Sequence, residues 1–222
     1  MAHYSTSIMS WEDLGKLSSN DSDFVNGPTN SYSKLRLFGQ SEDSLRVTLY
    51  RDNHAWCPYC QKVWLWLEFK KIPYQIKKVT MRCYGQKEPW YIKKVPSGML
   101  PAIEIDGILI TESDQILLSL EKVFGPLGKE LESDESLELR MLERRLFSAW
   151  CRWLCSPNQN IFQENRFKDN FKTLCEKLEV YLSKNEGTWF DSKQSKKQDS
   201  SPGSSDIVFI PFLERMNASL TY

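Results

Sequence analysis

Apolar and polar residues alternate over Leu45–Tyr50, which predicts a strand with one face in a core. Asp52–His54 reads as a loop. A new period starts at Pro58, which suits the first turn of a helix because its missing N–H would be unpaired there anyway. Val63, Trp64, Leu65, Leu67 and Phe69 give that helix a wide apolar surface. Lys70 and Lys71 complement its dipole, and Ile72-Pro73 stops it. Tyr74–Thr80 predicts a second strand, and Pro89–Lys94 a short helical segment. Ala102–Ile105 and Ile108–Ile110 flank Asp106-Gly107, and both turn residues tolerate positive φ, so a hairpin is expected. Ser113–Phe124 then has helical spacing, with Ile116, Leu117, Leu120 and Val123 inward. The order of strand, helix, strand, short helix, hairpin and helix describes a small mixed sheet with helices, a thioredoxin-like plan.

From there on the pattern is helical throughout. Leu137–Leu154 carries Leu139, Leu142, Leu146, Ala149, Trp150 and Trp153 at three- and four-residue spacings. Phe162, Phe167, Phe171, Leu174, Leu178 and Tyr181 form a second stripe. Residues 191–205 are Ser/Lys-rich and read as a loop, and Asp206–Met216 opens one more apolar helix. The expected fold class is therefore α/β followed by all-α. Residues 1–42, rich in Ser, Asn, Asp and Gly, read as a mobile or loosely docked extension, with Leu35–Phe38 as a short anchoring piece. Residues 43–125 form the thioredoxin-like unit, and 130–222 the helical one.

Composition narrows the function classes. The 222 residues carry 29 basic and 29 acidic side chains, so net charge supplies no argument for nucleic acid or an anionic membrane as partner. The longest apolar run, Ile207–Leu213, is too short to span a bilayer. No basic stretch leads into an apolar one at the start, so a secretory signal is not expected. The Ser-rich start keeps a plastid location as the alternative to a cytoplasmic one, though Glu12, Asp13, Asp21 and Asp23 argue against a transit peptide. Six cysteines in a chain of this length with ordinary core composition point to free thiols in a reducing compartment.

In such a compartment the Cys57-Pro58-Tyr59-Cys60 motif stands out. A thiolate is the nucleophile, and Cys57 just before Pro58 takes the N-cap, where unpaired N–H groups and the helix dipole favour a negative sulfur. Cys60, one turn on, is placed to act as a resolving thiol. Such a pair can also be half of a zinc site. No second pair at metal-ligand spacing accompanies it, since only His3 and His54 exist and Cys83 stands alone, so no metal is expected. Cys151 and Cys155, beside Trp150 and Trp153, suit packing better than redox work.

Three motifs together resemble a glutathione transferase. They are Cys57-Pro-Tyr-Cys60 after a strand, Val95-Pro-Ser-Gly-Met-Leu-Pro101 before a hairpin, and Thr111-Glu-Ser113 opening a helix. Cysteine at the reactive position resembles the cysteine-type classes. The context Ala55–Lys62 is similar to the iota class of photosynthetic organisms and, in layout, to the omega class. The resemblance implies glutathione as co-substrate and assigns Cys57 and Cys60 as the catalytic pair. It implies a cis peptide before Pro101, with the Leu100 backbone pairing with the cysteinyl part of glutathione. Glu112 and Ser113 would take the γ-glutamyl end, and Lys87 the glycyl carboxylate. The activity it implies is glutathione-dependent thiol transfer or reduction, of a small-molecule or protein substrate, through a Cys57–glutathione mixed disulfide. Conjugation of electrophiles and a non-catalytic binding module stay open as alternatives. Transferases of this family commonly pair, so a homodimer stays open too. Against the family pattern, Gly203 stands where a Ser or Thr usually begins the capping box of the buried helix. The later helices of the helical half are also missing, so that half reads as incomplete.

Overall fold

The computed structural model describes residues 24–27, 29–156, 160–184, 189–190 and 202–221. The strands are β1 (Leu35–Arg36), β2 (Val47–Asp52), β3 (Tyr74–Val79), β4 (Ala102–Ile105) and β5 (Ile108–Thr111). The helices are α1 (Pro58–Lys70), α2 (Pro89–Lys94), α3 (Ser113–Phe124), α4 (Asp134–Leu154), α5 (Ile161–Ser183) and α6 (Ser204–Thr221). The five strands form one mixed sheet in the order β1-β3-β2-β4-β5, with β2 and β3 parallel and the other neighbours antiparallel. A thioredoxin-like sheet domain followed by a helical part is the architecture expected from the patterning.

Two expectations change at the sheet. Within the segment read as an extension, Leu35 and Arg36 pair with Gln75 and Tyr74 as an edge strand. Arg36 is buried there because its guanidinium meets the Glu68 carboxylate through Nε and Nη2 at 2.9 and 3.0 Å. The first 23 residues of that segment lie outside the described residues. Second, β2 runs on to Asp52, where the sequence predicts a loop. Parallel pairing with β3 continues through Asp52↔Val79, while pairing with β4 stops at Tyr50↔Ala102. Arg51 and Asp52 are fully buried. Arg51 tolerates this because Nη1 donates to the Asp52 carbonyl at 2.7 Å and its guanidinium lies 4.1 Å from the Trp64 ring centre.

The sheet packs on α1 and α3 through a core that includes Val47, Leu49, Val63, Trp66, Ile103 and Ile116. A second core joins α4, α5 and α6 through Leu139, Leu142, Leu146, Phe171, Leu174, Phe209 and Phe212. Phe162 and Val123, expected to face inward, are exposed; Phe162 lies in the first turn of α5 and Val123 in the last turn of α3, where there is less to pack against. The two cores meet where α6 lies along α1. Trp66, completely buried, donates Nε1–H to Ser204 Oγ at 3.1 Å, and the Ser204 amide donates to the Leu127 carbonyl. Half of a capping box survives the glycine: the Gly203 N–H donates to Asp206 Oδ2 at 2.9 Å, and the Phe190 N–H to Oδ1 at 2.8 Å. The Ser/Lys-rich loop lies outside the described residues as far as residue 201, and α6 begins inside its expected end. No helix among the described residues is long and apolar enough to cross a membrane.

Candidate functional site

Three chain segments converge at the end of the sheet where β2 finishes. The Tyr50↔Ala102 pair sets the start of β4 against the last part of β2. The Ala102↔Thr111 pair brings Pro101 and Glu112 to the same end. From there the chain leaves β2 through residues 53–56 and enters α1 with Cys57 as N-cap. The loop is well tied. Asp52 Oδ2 accepts from the Trp56 N–H at 2.6 Å. Tyr84 stacks near His54 and edge-on to Trp56, with ring centres 4.4 and 5.7 Å away. From α6, Arg215 Nη2 donates to the Trp56 carbonyl at 2.6 Å and Nη1 to Gln61 Oε1 at 2.8 Å. The helical part therefore grips the residue that precedes Cys57.

The Cys57 sulfur accepts from the Cys60 N–H at 3.4 Å. The Cys60 thiol, as a donor to this sulfur, and the amides of Cys60 and Tyr59 hold the Cys57 thiol below the ordinary cysteine range. They do so against burial and the Asp52 carboxylate, which push the other way. Cys60 is fully buried, and burial, with the Cys57 partnership second, pushes its thiol well above the ordinary range. One sulfur of the pair thus favours the thiolate and the other the thiol. That is the division of labour expected of a nucleophile and a partner inside the helix.

Cys57 opens onto a cavity of about 810 Å³ lined by Tyr59, Met81, Arg82, Lys87, Ser97 and Leu100 among others. Of the residues singled out in the sequence, Cys57, Lys87 and Leu100 share this cavity. Cys60 lies behind it. The Leu100–Pro101 peptide is cis. Glu112 and Ser113 are not among the lining residues; they sit at the same sheet end, where β5 passes into α3. Glu112 has φ 64° and ψ 113°, an uncommon conformation for a residue with a side chain, and its exposed carboxylate makes no capping bond. Ser113 is the buried first residue of α3. Lys62 of α1, buried, reaches Asp114 Oδ1 at 2.5 Å and so ties the first turn of α3 to the cysteine helix. Lys87 Nζ donates to the Thr80 carbonyl at 3.0 Å, which holds its stem along the cavity wall.

Sequence reasoning missed Arg82, a second cation on this wall, and Gly98, whose φ of +64° and close neighbours Ile92 and Lys87 leave little room for a Cβ. It also missed Asp52, although the carboxylate falls at the end of the strand that feeds the motif. A carboxylate oxygen of Asp52 and the sulfurs of Cys57 and Cys60 lie within 4.8 Å of one another, the one such group of three found among the described residues. That is one protein ligand short of a structural zinc site, and no metal role is assigned to it. Tyr59 is anchored to the helical part: its hydroxyl accepts from Arg144 at 3.1 Å, and its ring meets Phe212 and Phe147 edge-on.

Residues 56–123 match the glutathione S-transferase N-terminal domain family. Glutathione S-transferase DHAR2 of Arabidopsis thaliana is 27% identical over 125 residues, covering 56% of this chain and 55% of that protein. Glutathione S-transferase omega-1 of Sus scrofa is 27% identical over 168 residues, covering 73% of this chain and 64% of that one. The chain spans from 25% to 55% of the length of the first curated relatives it matches. In fold it resembles the crystallised glutathione transferase URE2P6 of Phanerochaete chrysosporium in complex with oxidised glutathione, with a TM-score of 0.57 at 21% identity over 79% of this chain and 81% of that one. The match begins at the residue before Cys57 and runs into the last turn of α3, so it takes in the thiol, the cis peptide and the Glu112–Ser113 corner together: these residues carry the likeness to the glutathione S-transferase N-terminal domain.

Proposed function

We propose that the chain is a cysteine-type transferase that carries out glutathione-dependent thiol transfer at Cys57. The observation that carries this is the Cys57 sulfur at the start of α1, held toward the thiolate and opening onto a cavity with two cations on its wall. The thiolate attacks the sulfur of a glutathionylated substrate. A bond forms between Cys57 Sγ and the glutathione sulfur, the substrate's sulfur–sulfur bond breaks, and the substrate leaves as a thiolate. A second glutathione thiolate then attacks the mixed disulfide, releasing oxidised glutathione and restoring Cys57.

Within this reading, Leu100 beside the cis peptide pairs with the cysteinyl backbone of glutathione. Glu112 takes the γ-glutamyl ammonium, and the Ser113 hydroxyl and N–H take its carboxylate at the start of α3. Lys87, with Arg82 beside it, takes the glycyl carboxylate. Met81, Ile92 and Met99 give the rest of the cavity an apolar lining, which favours an acceptor with an apolar body. A sulfur already disposed to be the thiolate reacts covalently instead of merely stabilising a glutathione thiolate, so conjugation to electrophiles is expected to be the weaker activity. The test is mass spectrometry after treatment with oxidised glutathione. The adduct should appear on Cys57 and be missing from Cys57→Ser; an equal adduct on Cys57→Ser sinks the proposal.

A further inference from the structure

Cys151 and Cys155 are two thiols that the transfer described above leaves unused. Their place beside Trp150 and Trp153 predicts packing, and the structure corrects this. Trp150 and Trp153 pack on the helical core, whereas neither cysteine is part of it. Cys151 is half-buried and Cys155 exposed, and both are free thiols. What the two have is each other. They lie one turn apart at the end of α4, where the Cys155 N–H donates to the Cys151 carbonyl at 2.8 Å, and their thiols are hydrogen-bond partners.

The place of the pair on the helix lets it close. One helical turn sets the Cα atoms about 6 Å apart, within the range of about 4.4–6.8 Å that a disulfide spans. The Cβ atoms must still draw together, which a helix interior resists. Cys155 is the C-cap, with φ −109° and ψ 0°, so the movement falls on the end of the helix and not on its body. The two thiols are also unequal. Burial first, then Cys155, push the Cys151 thiol up, with Arg144 pulling the other way. Cys155 is thus the accessible thiol, and Cys151 the one kept protonated until its partner has reacted. This end of α4 is tied to both helices packed against it. Trp150 Nε1–H donates to Ser219 Oγ of α6 at 3.0 Å, and the Trp153 ring centre lies 5.6 Å from that of Phe171 in α5.

We propose that Cys151 and Cys155 form a second thiol site, separate from Cys57, at which a low-molecular-weight disulfide such as oxidised glutathione converts the pair to a Cys151–Cys155 disulfide that clips the last turn of α4. Cys155, as the thiolate, attacks one sulfur of oxidised glutathione. A bond forms between Cys155 Sγ and that sulfur, the sulfur–sulfur bond of glutathione disulfide breaks, and one glutathione leaves as its thiolate. Cys151 then gives up its proton through solvent and attacks Cys155 Sγ, expelling the second glutathione thiolate. The two thiolates take up the two protons that the cysteines release. The chain is oxidised by two electrons, and oxidised glutathione is reduced to two molecules of glutathione.

The experiment titrates reduced, full-length protein with oxidised glutathione, stops the reaction with acid, blocks the remaining thiols with N-ethylmaleimide and digests the chain with trypsin. Arg152 lies between the two cysteines, so peptides 146–152 and 153–166 carry one each. A Cys151–Cys155 disulfide appears in mass spectrometry as these two peptides joined, which is the result expected of wild type. Cys151→Ser should stop with glutathione on Cys155, and Cys155→Ser should leave Cys151 open to the maleimide. Closure within one helix replaces a second bimolecular step. Cys155 should therefore lose its free thiol at an oxidised-glutathione concentration at least about tenfold below that needed at the exposed Cys83. A glutathione adduct that stays on wild-type Cys155, with Cys151 still open to the maleimide, overturns the inference. So does oxidation of Cys155 no easier than that of Cys83, which is ordinary surface chemistry. Peptide 52–62 of the same digest carries Cys57 and Cys60. Its adduct tests the transfer reading by itself, so the two proposals stand or fall separately.

Discussion

Replacing Glu112 with glycine should move stability and ligand affinity in opposite directions. Glu112 holds φ 64° and ψ 113° between β5 and α3, and its exposed side chain makes no capping bond. Deleting the side chain therefore removes little from the fold. A non-glycine residue held in so sparsely populated a region costs about 1–3 kcal/mol. Glycine adopts the same angles freely but costs about 0.5–1 kcal/mol in added freedom of the unfolded chain. The balance is a gain of about 0.5–2 kcal/mol in unfolding free energy, visible as a higher urea midpoint at unchanged slope. If Glu112 meets the γ-glutamyl ammonium as proposed, losing its carboxylate removes a charge-assisted bond of about 1.5–3 kcal/mol, partly offset by its exposure, so glutathione should bind about tenfold more weakly in calorimetry. A strained residue retained for its side chain is the only account here that gives both signs. If Glu112→Gly loses stability, or binds glutathione as tightly as wild type, the reasoning fails.

Other expected outcomes follow from particular contacts. Trp66→Phe and Ser204→Ala each leave a buried partner unpaired and should each cost about 1–3 kcal/mol. The double variant should cost about 1 kcal/mol less than their sum, and strict additivity would mean that this bond does not help to dock α6 on α1. At Gly98, alanine meets both a positive φ and Ile92 Cδ1 at 3.1 Å. A loss of about 1–2 kcal/mol with weaker glutathione binding is expected, and a neutral result would show that this wall yields freely. Arg215→Ala frees the Trp56 carbonyl and should slow Cys57 adduct formation while costing about 1 kcal/mol of stability, the partly exposed guanidinium being discounted for solvent. Stopped-flow adduct kinetics at the wild-type rate would show that the loop keeps its shape without α6.

What the sequence made legible was whatever local rules govern. Pro58 after Cys57 marks a helix start, and Asp106-Gly107 marks a hairpin, because φ restrictions act within a few residues. The amphipathic stripes gave α4 and α5 because their packing is periodic. Asp52 was not legible, because a polar pair ending a strand looks like a loop until Val79 pairs with it and Trp64 covers Arg51. β1 was missed for a related reason: two residues carry no periodicity, and only the edge of β3 makes a strand of them. At the site, Cys57, Lys87 and Leu100 share the cavity, whereas Arg82 gave no signal, since its place depends on how the chain after β3 folds over Cys57. The contacts from Arg215 and Arg144 cross between the two halves of the chain, and no local pattern announces them.

The central claim is that the start of α1 makes Cys57 a thiolate for glutathione chemistry. It is tested most directly by the pH dependence of single-turnover reaction of the wild-type chain with oxidised glutathione, counting the Cys57 adduct together with any Cys57–Cys60 disulfide formed from it, so that the Cys60 thiol that lowers Cys57 stays in place. The sign is set by the lowered Cys57 thiol: the midpoint of reactivity should lie below the free-thiol value of about 8.5, and reactivity should be lost as pH falls through that lower midpoint. A midpoint at or above that of a free thiol would contradict the account.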